Sequence, residues 1–249
     1  MNYKCWKCSS GKIGRQKIRV GRIRSTPEHI RLGGKDKNMY RIFLVCLDCE
    51  YKWQPAQDDY RKKIVYNSER NQKIIDLALR FIRSKQQTMI YVLEMRHVEA
   101  ISLLLASELK RAGLDPSLAS QVHGQLDDDY NERQRQALIS GKLLCAICTS
   151  IWGEGTDVPP LRWVIYAAAG SASAQKGGIV YEQLIGRLGR IAPGKFRAGF
   201  IDFKDSFDKK FAAKSKSRKR YLDQKNFQTV SLNEGRALNG RRRFLAEKK

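Results

Sequence analysis

No stretch of this sequence holds eighteen consecutive apolar residues, and no charged-then-apolar leader opens it at Met1. Neither a membrane span nor a secretion signal is expected, so the cell interior is the expected location. A reducing interior makes paired cysteines metal ligands before disulfides. A phosphate loop is also missing. No GxxxxGK[ST] occurs; the nearest approach, Gly170 to Lys176, has Gln175 for the second glycine and Gly177 for the Ser/Thr. Acidic residues are scarce, 25 Asp+Glu against 48 Lys+Arg, for a net charge of +23.

That excess is unevenly spread. Residues 1–57 carry 13 basic and 4 acidic side chains, residues 58–203 carry 20 and 16, and residues 204–249 carry 15 and 5. An ordinary globular composition in the middle is thus flanked by two basic segments, which points to a polyanion partner, nucleic acid above all. With 249 residues there is room for one medium domain and a small one.

The first 57 residues contain two CxxC knuckles, Cys5/Cys8 and Cys46/Cys49. Four thiolates suit a closed, tetrahedral, structural zinc site. The long insert between the knuckles reads as a β-excursion. Ile13 to Arg24 alternates apolar residues with Lys17, Arg19, Arg22 and Arg24, predicting a strand with one basic face. Gly33 to Asn38 predicts a turn, and Met39 to Val45 a second strand leading into Cys46. The segment resembles a zinc ribbon, and its basic strand, with Trp6, Tyr51 and Trp53 nearby, favours contact with nucleic acid through Arg19, Arg22 and Arg24. His29 reads as a loop residue, since the four cysteines complete a site.

Strands and helices alternate from about residue 60 to residue 205. Helices are predicted over Asn71–Arg83, Val98–Lys110, Asp128–Ser140 and Val180–Arg190. Strands are predicted over Thr88–Leu93, Ala119–Gly124, Leu143–Cys148, Trp163–Ala168 and Ala198–Phe203. The pattern implies an α/β domain, a parallel sheet covered on both faces. Within it, Tyr181 to Arg190 sets Arg187 and Arg190 three residues apart behind Gln183 and Gly186. On a helix that spacing puts both guanidiniums on one face, suited to a polyphosphate and to arginine-finger chemistry on a nucleotide held elsewhere. Cys145 and Cys148 form a third CxxC, but in a strand positions i and i+3 face opposite sides, so they read as core. Leu126 to Asp129 reads as a helix cap rather than a magnesium site.

The order of landmarks resembles the second, C-terminal RecA-like domain of superfamily 2 helicases. Its carriers are Ile90-Tyr91-Val92, Val122-His123-Gly124, Arg133, the run Cys148 to Pro159, Gln183 to Arg190, Gly194-Lys195 and Ile201 to Asp205. Tyr66 to Asn71, the Gly-Lys pair and the aspartates near residue 202 are most similar to UvsW-type phage DNA helicases and their annealing and branch-remodelling relatives. Such a chain would sit in the host cytoplasm. The resemblance implies that Gln183, Arg187 and Arg190 face ATP·Mg2+, that Gly155, Asp157 and Gly186 belong to the nucleotide site, and that His123, Gly124 and Thr149 contact the nucleic-acid backbone, DNA rather than RNA. Thr149 follows a strand and precedes glycine-rich backbone, which lets a nucleic-acid strand approach closely.

The expected organisation is therefore a zinc ribbon over 1–57, a helicase C-terminal RecA-like domain over 60–205, and a basic helix with a flexible basic tail over 206–249. Phe207, Phe211 and Leu222 are expected on the docking side of that helix, which the resemblance reaches through Arg218 and Tyr221. With no phosphate loop and no DEAD- or DEAH-like box, the chain is expected to work with a separate polypeptide carrying the helicase N-terminal ATP-binding domain. The alternatives are a non-enzymatic nucleic-acid-binding or regulatory protein on an inert RecA-like scaffold, or a zinc-ribbon transcription accessory factor.

Overall fold

The computed structural model describes residues 13–23, 37–46, 52–53, 59–149, 157–171, 175–227 and 229. The chain divides into two compact units, Met1–Ile64 and Val65–Lys249.

In the first unit, β1 (Ile13–Ile23), β2 (Lys37–Cys46) and the two-residue β3 (Lys52–Trp53) form an antiparallel sheet in that order. The register shifts between Arg19 and Gly21, a bulge that admits one extra residue. Lys17, Arg19 and Arg22 are in register with Ile42, Tyr40 and Asn38.

The second unit is built on five parallel strands: β4 (Thr88–Tyr91), β5 (Ala119–Val122), β6 (Cys145–Cys148), β7 (Trp163–Tyr166) and β8 (Gly199–Asp202), in the order β5-β6-β4-β7-β8. Residues alternate between two apolar layers, as the strand period requires. Ile90, Val92, Cys145, Ile147 and Ile165 pack on one side with α1 (Ser68–Arg83) and α2 (Met95–Arg111). Met89, Tyr91, Ala146, Cys148 and Val164 pack on the other with α3 (Asp128–Ser140) and α4 (Gln175–Leu188). Cys145 and Cys148 therefore lie in opposite layers, both buried, and are core residues.

Local chemistry sets the helix ends. The Asn67 side chain accepts the Arg70 amide at the start of α1, and Asp127 accepts the Asp129 and Tyr130 amides at the start of α3. Gly141 closes α3 in the left-handed region at φ 79°. Where β7 meets β8, Trp163 stacks on Phe81 at 4.4 Å and lies directly over Gly199, its register partner, leaving no room there for a Cβ.

A last helix, α5 (Lys209–Gln224), caps the sheet. Phe211, Ser215 and Arg218 are its buried side, with Tyr221 and Leu222 partly buried against the second layer. Phe207 instead precedes the helix, half exposed, because Asp208 caps α5 by accepting the Lys210 and Phe211 amides.

Candidate functional site

Asp157 is the meeting point of the candidate nucleotide residues. Its backbone carbonyl accepts Arg135 Nη1 at 3.0 Å, and its carboxylate pairs with the Arg190 guanidinium. Arg135 belongs to α3 and Arg190 follows α4, so Asp157 is bonded from both. Arg135 is itself oriented by Glu132, through contacts of 2.5 and 2.7 Å. That i,i+3 pair holds the Glu132 carboxyl down at about 2, chiefly by the Arg135 hydrogen bond.

Arg187 lies on α4 and is 5% exposed, whereas the Arg190 side chain is 45% exposed. The expectation of two arginines on one helical face is corrected here. The helix ends at Leu188, and the Gly189 and Arg190 amides bond back to the Gly186 and Arg187 carbonyls at 3.2 and 3.3 Å. This i→i+3 tightening swings Arg190 off the helix and onto Asp157. Burial pulls the Arg187 guanidinium below its ordinary value and the Arg190 charge adds to the effect, while Cys148 and Asp157 oppose it. The structure thus pairs Arg190 with Asp157 at the end of the helix that carries Arg187, one arginine buried and one presented to solvent. Gly186 is exposed on α4, and a Cβ there would meet no described atom within 4 Å. Gln183 is half-buried, and its Oε1 has no hydrogen-bond partner among the described residues. Gly155 lies outside the described residues.

The loop after α4 is fastened to the loop before β7. Lys195 Nζ donates to the Pro159 and Arg190 carbonyls at 2.9 and 2.8 Å, and Arg162 Nη2 donates to the Gly194 carbonyl at 2.5 Å. Lys195 therefore fixes the backbone of Arg190 itself. Burial, aided by the Arg162 and Arg190 charges, pulls its ammonium below the usual lysine range.

The candidate nucleic-acid residues sit elsewhere, at the carboxyl ends of neighbouring strands β5 and β6. His123 is buried. Its Nδ1 accepts the Gln125 amide at 3.3 Å, its carbonyl accepts Asn131 Nδ2 at 3.1 Å, and burial pulls its imidazole below the ordinary value. A neutral, hydrogen-bonded ring of this kind shapes the turn that leaves Gly124 exposed. Thr149 is half-buried one residue beyond β6. The strand-end residues and the arginine cluster are joined by one short segment, since Thr149 and Asp157 are eight residues apart.

Sequence reasoning missed Arg135. Arg133, the position the resemblance singles out, is exposed on α3. The Glu132/Arg135 spacing was the available signal. It also missed Arg70, whose Nε donates to Asp205 at 2.8 Å and whose Nη1 donates to the Ala167 carbonyl at 2.9 Å.

In the first unit, Arg19 and Arg22 lie on β1, and Arg24 lies outside the described residues, as do Cys5, Cys8 and Cys49. Cys46 ends β2. Among the described residues there is no group of three or more His, Cys, Asp or Glu able to hold a metal, and no helix is long and apolar enough to cross a membrane.

A parallel five-stranded sheet with helices on both faces defines a RecA-like α/β domain. Residues 69–192, just under half of the chain, match the helicase conserved C-terminal domain family. The fold is similar to that of S. cerevisiae Dbp5 bound to RNA and ADP BeF3, at 19% identity and a TM-score of 0.50, over 68% of this chain and 40% of that one. It is also similar to that of T4 UvsW, at 18% identity and a TM-score of 0.52, over 70% of this chain and 36% of that one. At these identities the likeness is one of fold, and the chain spans well under half of either protein. No curated protein sequence matches the chain.

Proposed function

We propose that this chain is the C-terminal motor domain of an ATP-dependent DNA helicase or translocase, supplying arginine fingers and a nucleic-acid grip to a nucleotide held by another RecA-like lobe. The observation that carries the reading is the Arg190–Asp157 ion pair at the end of the helix that carries the buried Arg187. ATP is the substrate, and the 249 residues include no phosphate loop to hold it. The lobe with that loop and the magnesium carboxylates belongs, in this reading, to a partner polypeptide. Dbp5, the similar structure solved with RNA and a nucleotide analogue, is a protein in which both ligands are held together.

Each residue then has a defined task. Arg190, fixed through its carbonyl by Lys195 and through its guanidinium by Asp157, is held ready at the surface to neutralise charge developing on the terminal phosphate. Arg187, behind it, adds a second fixed positive charge. Open space at Gly186 allows close approach, and Gln183, with its unpartnered Oε1, is placed to orient water or phosphate. Gly155 and Asp157 connect this site to Thr149, so a shift of Asp157 on nucleotide binding moves the strand-end residues that hold DNA with His123 and Gly124.

Zinc supplies a structural crosslink in the first unit through Cys5, Cys8, Cys46 and Cys49. The hairpin register supports this assignment. Ile13 pairs with Cys46, so the chain that carries Cys8, five residues before Ile13, leaves the sheet at the end where the second knuckle begins.

The test has two arms. The purified chain alone is expected to bind DNA and to hydrolyse no ATP. In the assembly isolated with its ATP-binding partner, Arg190→Ala is expected to cut turnover by about 1,000-fold or more, with DNA affinity unchanged. Robust turnover by the single chain, or full turnover by the Arg190→Ala assembly, overturns the reading.

A further inference from the structure

We propose that the solvent face of α5, outside the segment that matches the helicase family, is a binding surface for the phosphodiester backbone of nucleic acid, with Lys209, Lys216 and Arg220 as its contacts. The proposal rests on the reading of the chain as a nucleic-acid-acting domain and adds a surface to it.

Between Lys209 and Gln224 the helix carries seven Lys and Arg and one acid, Asp223. Two of the cations are otherwise engaged: Arg218 is wholly buried, and Lys219 pairs with Asp223 at 3.0 Å. Lys209, Lys216 and Arg220 are exposed and make no ion pair among the described residues. At about 100° per residue they fall within a stripe some 40° wide and roughly 16 Å long.

This arrangement works against the helix itself. Lys216 and Arg220 are a like-charge i,i+4 pair, which is unfavourable, and Lys209 places a positive charge at the end where the helix dipole is already positive. Asp208, which caps the helix, eases the second cost, and the one nearby acid of the helix, Asp223, is taken up by Lys219. A row of phosphates would offset both costs.

The inner side of α5 fixes where the stripe points. Arg218 Nε donates to both Asp202 oxygens at 2.7 and 3.0 Å. Its Nη1 donates to the Gly170 carbonyl at 2.5 Å, and its Nη2 to the Phe203 carbonyl and Ser215 Oγ at 2.9 and 3.1 Å. With the guanidinium bound on all sides, the helix cannot roll about its axis. Apart from Ser215, which is on α5 itself, those partners lie at or beyond the carboxyl ends of β7 and β8, the same edge of the sheet that presents His123, Gly124 and Thr149 at β5 and β6. Strands about 4.8 Å apart put the two ends of that edge roughly 20 Å from one another, a few nucleotides of backbone.

The experiment measures binding of the full chain to a fluorescent mixed-sequence single-stranded DNA oligonucleotide by anisotropy, across a salt series. The K209Q/K216Q/R220Q variant, with melting unchanged, is expected to bind at least about tenfold more weakly at low salt, and its log affinity against log salt to be shallower by about 2, the loss of three phosphate contacts. A control variant, R80Q/R83Q/K110Q, removes three exposed charges from α1 and α2 near the opposite edge of the sheet and is expected to keep the wild-type slope. An unchanged slope in the α5 variant overturns the α5 surface alone. An equal loss in both variants overturns it too, in favour of net charge without a site. Failure of the wild-type chain to bind overturns the surface and the nucleic-acid reading together.

Discussion

His97 is wholly buried between α1 and α2, and its protonation state can be read from its neighbours. Asn71 Nδ2 donates to the Val65 carbonyl at 2.8 Å, so Asn71 Oδ1 is the acceptor for His97 Nε2–H at 3.1 Å. That leaves Nδ1 bare, without a partner among the described residues. Burial, and then the charge of Arg70, push the imidazole down to about 3 from its ordinary 6.5. The unfolded chain therefore takes up a proton at His97 as the pH drops below 6.5, while the folded chain takes none until about 3. Stability from this residue is complete above 6.5 and is lost as the pH falls through that window, by about 1.4 kcal/mol per pH unit. His97→Gln can keep the donor to Asn71 and cannot titrate. Urea denaturation at several pH values in that window should show a profile flatter than wild type by one proton; parallel profiles would mean His97 is charged in the fold. At this scale legibility followed locality. Arg187, Arg190 and Asp157 were visible in a motif, but the pairing of Asp157 with Arg135 and of Asn71 with His97 joins residues 22 and 26 positions apart and leaves no trace in spacing.

The elements were legible wherever their ends carried their own chemistry. Helix α3 was readable to the residue, because Asp127 caps one end and Gly141 the other. The α4 boundaries were not. Glycines 177 and 178 lie inside a helix that starts at Gln175, and the loss of Arg190 from its end depends on the Asp157 carboxylate. Helix α5 was visible as basic and amphipathic, yet what holds it is a buried ion network no periodicity reveals. Arg218, Asp202, Asp205 and Arg70 come from α5, β8, the turn after β8, and α1. Burial opposes the Arg218 charge, but its neighbours, Asp202 above all, more than offset it and raise the guanidinium above its ordinary value. Removing one member strands charge in the interior. Arg218→Met is expected to cost about 3–5 kcal/mol, whereas Asp223→Ala, which breaks the exposed Lys219 pair on the same helix, should cost about 1 kcal/mol or less. Chemical denaturation of the two variants separates the cases. Equal small losses would mean that α5 is held by Phe211 and its apolar neighbours alone.

On the scale of the whole molecule, two units with different kinds of stabilisation share one chain. The second has two full apolar layers around its sheet and needs nothing more. Among the described residues the first has three strands, one of them two residues long, and β1 is rich in Lys and Arg. A sheet that small gains little from apolar burial alone, and the proposed zinc would supply a crosslink. With zinc as that crosslink, metal binding and folding of the first unit are one equilibrium, because the four-thiolate site does not exist in the unfolded segment. The reduced, full-length chain should therefore carry stoichiometric zinc by metal analysis. It should melt in two transitions, of which a strong chelator abolishes one and leaves the other where it was. The surviving transition belongs to the second unit, and the chelated chain should still bind DNA, with a shallower salt dependence once the folded, Lys- and Arg-rich β1 is lost. Metal-free protein with both transitions intact would show that the strands of the first unit are held by packing, and the four cysteines would then need another role.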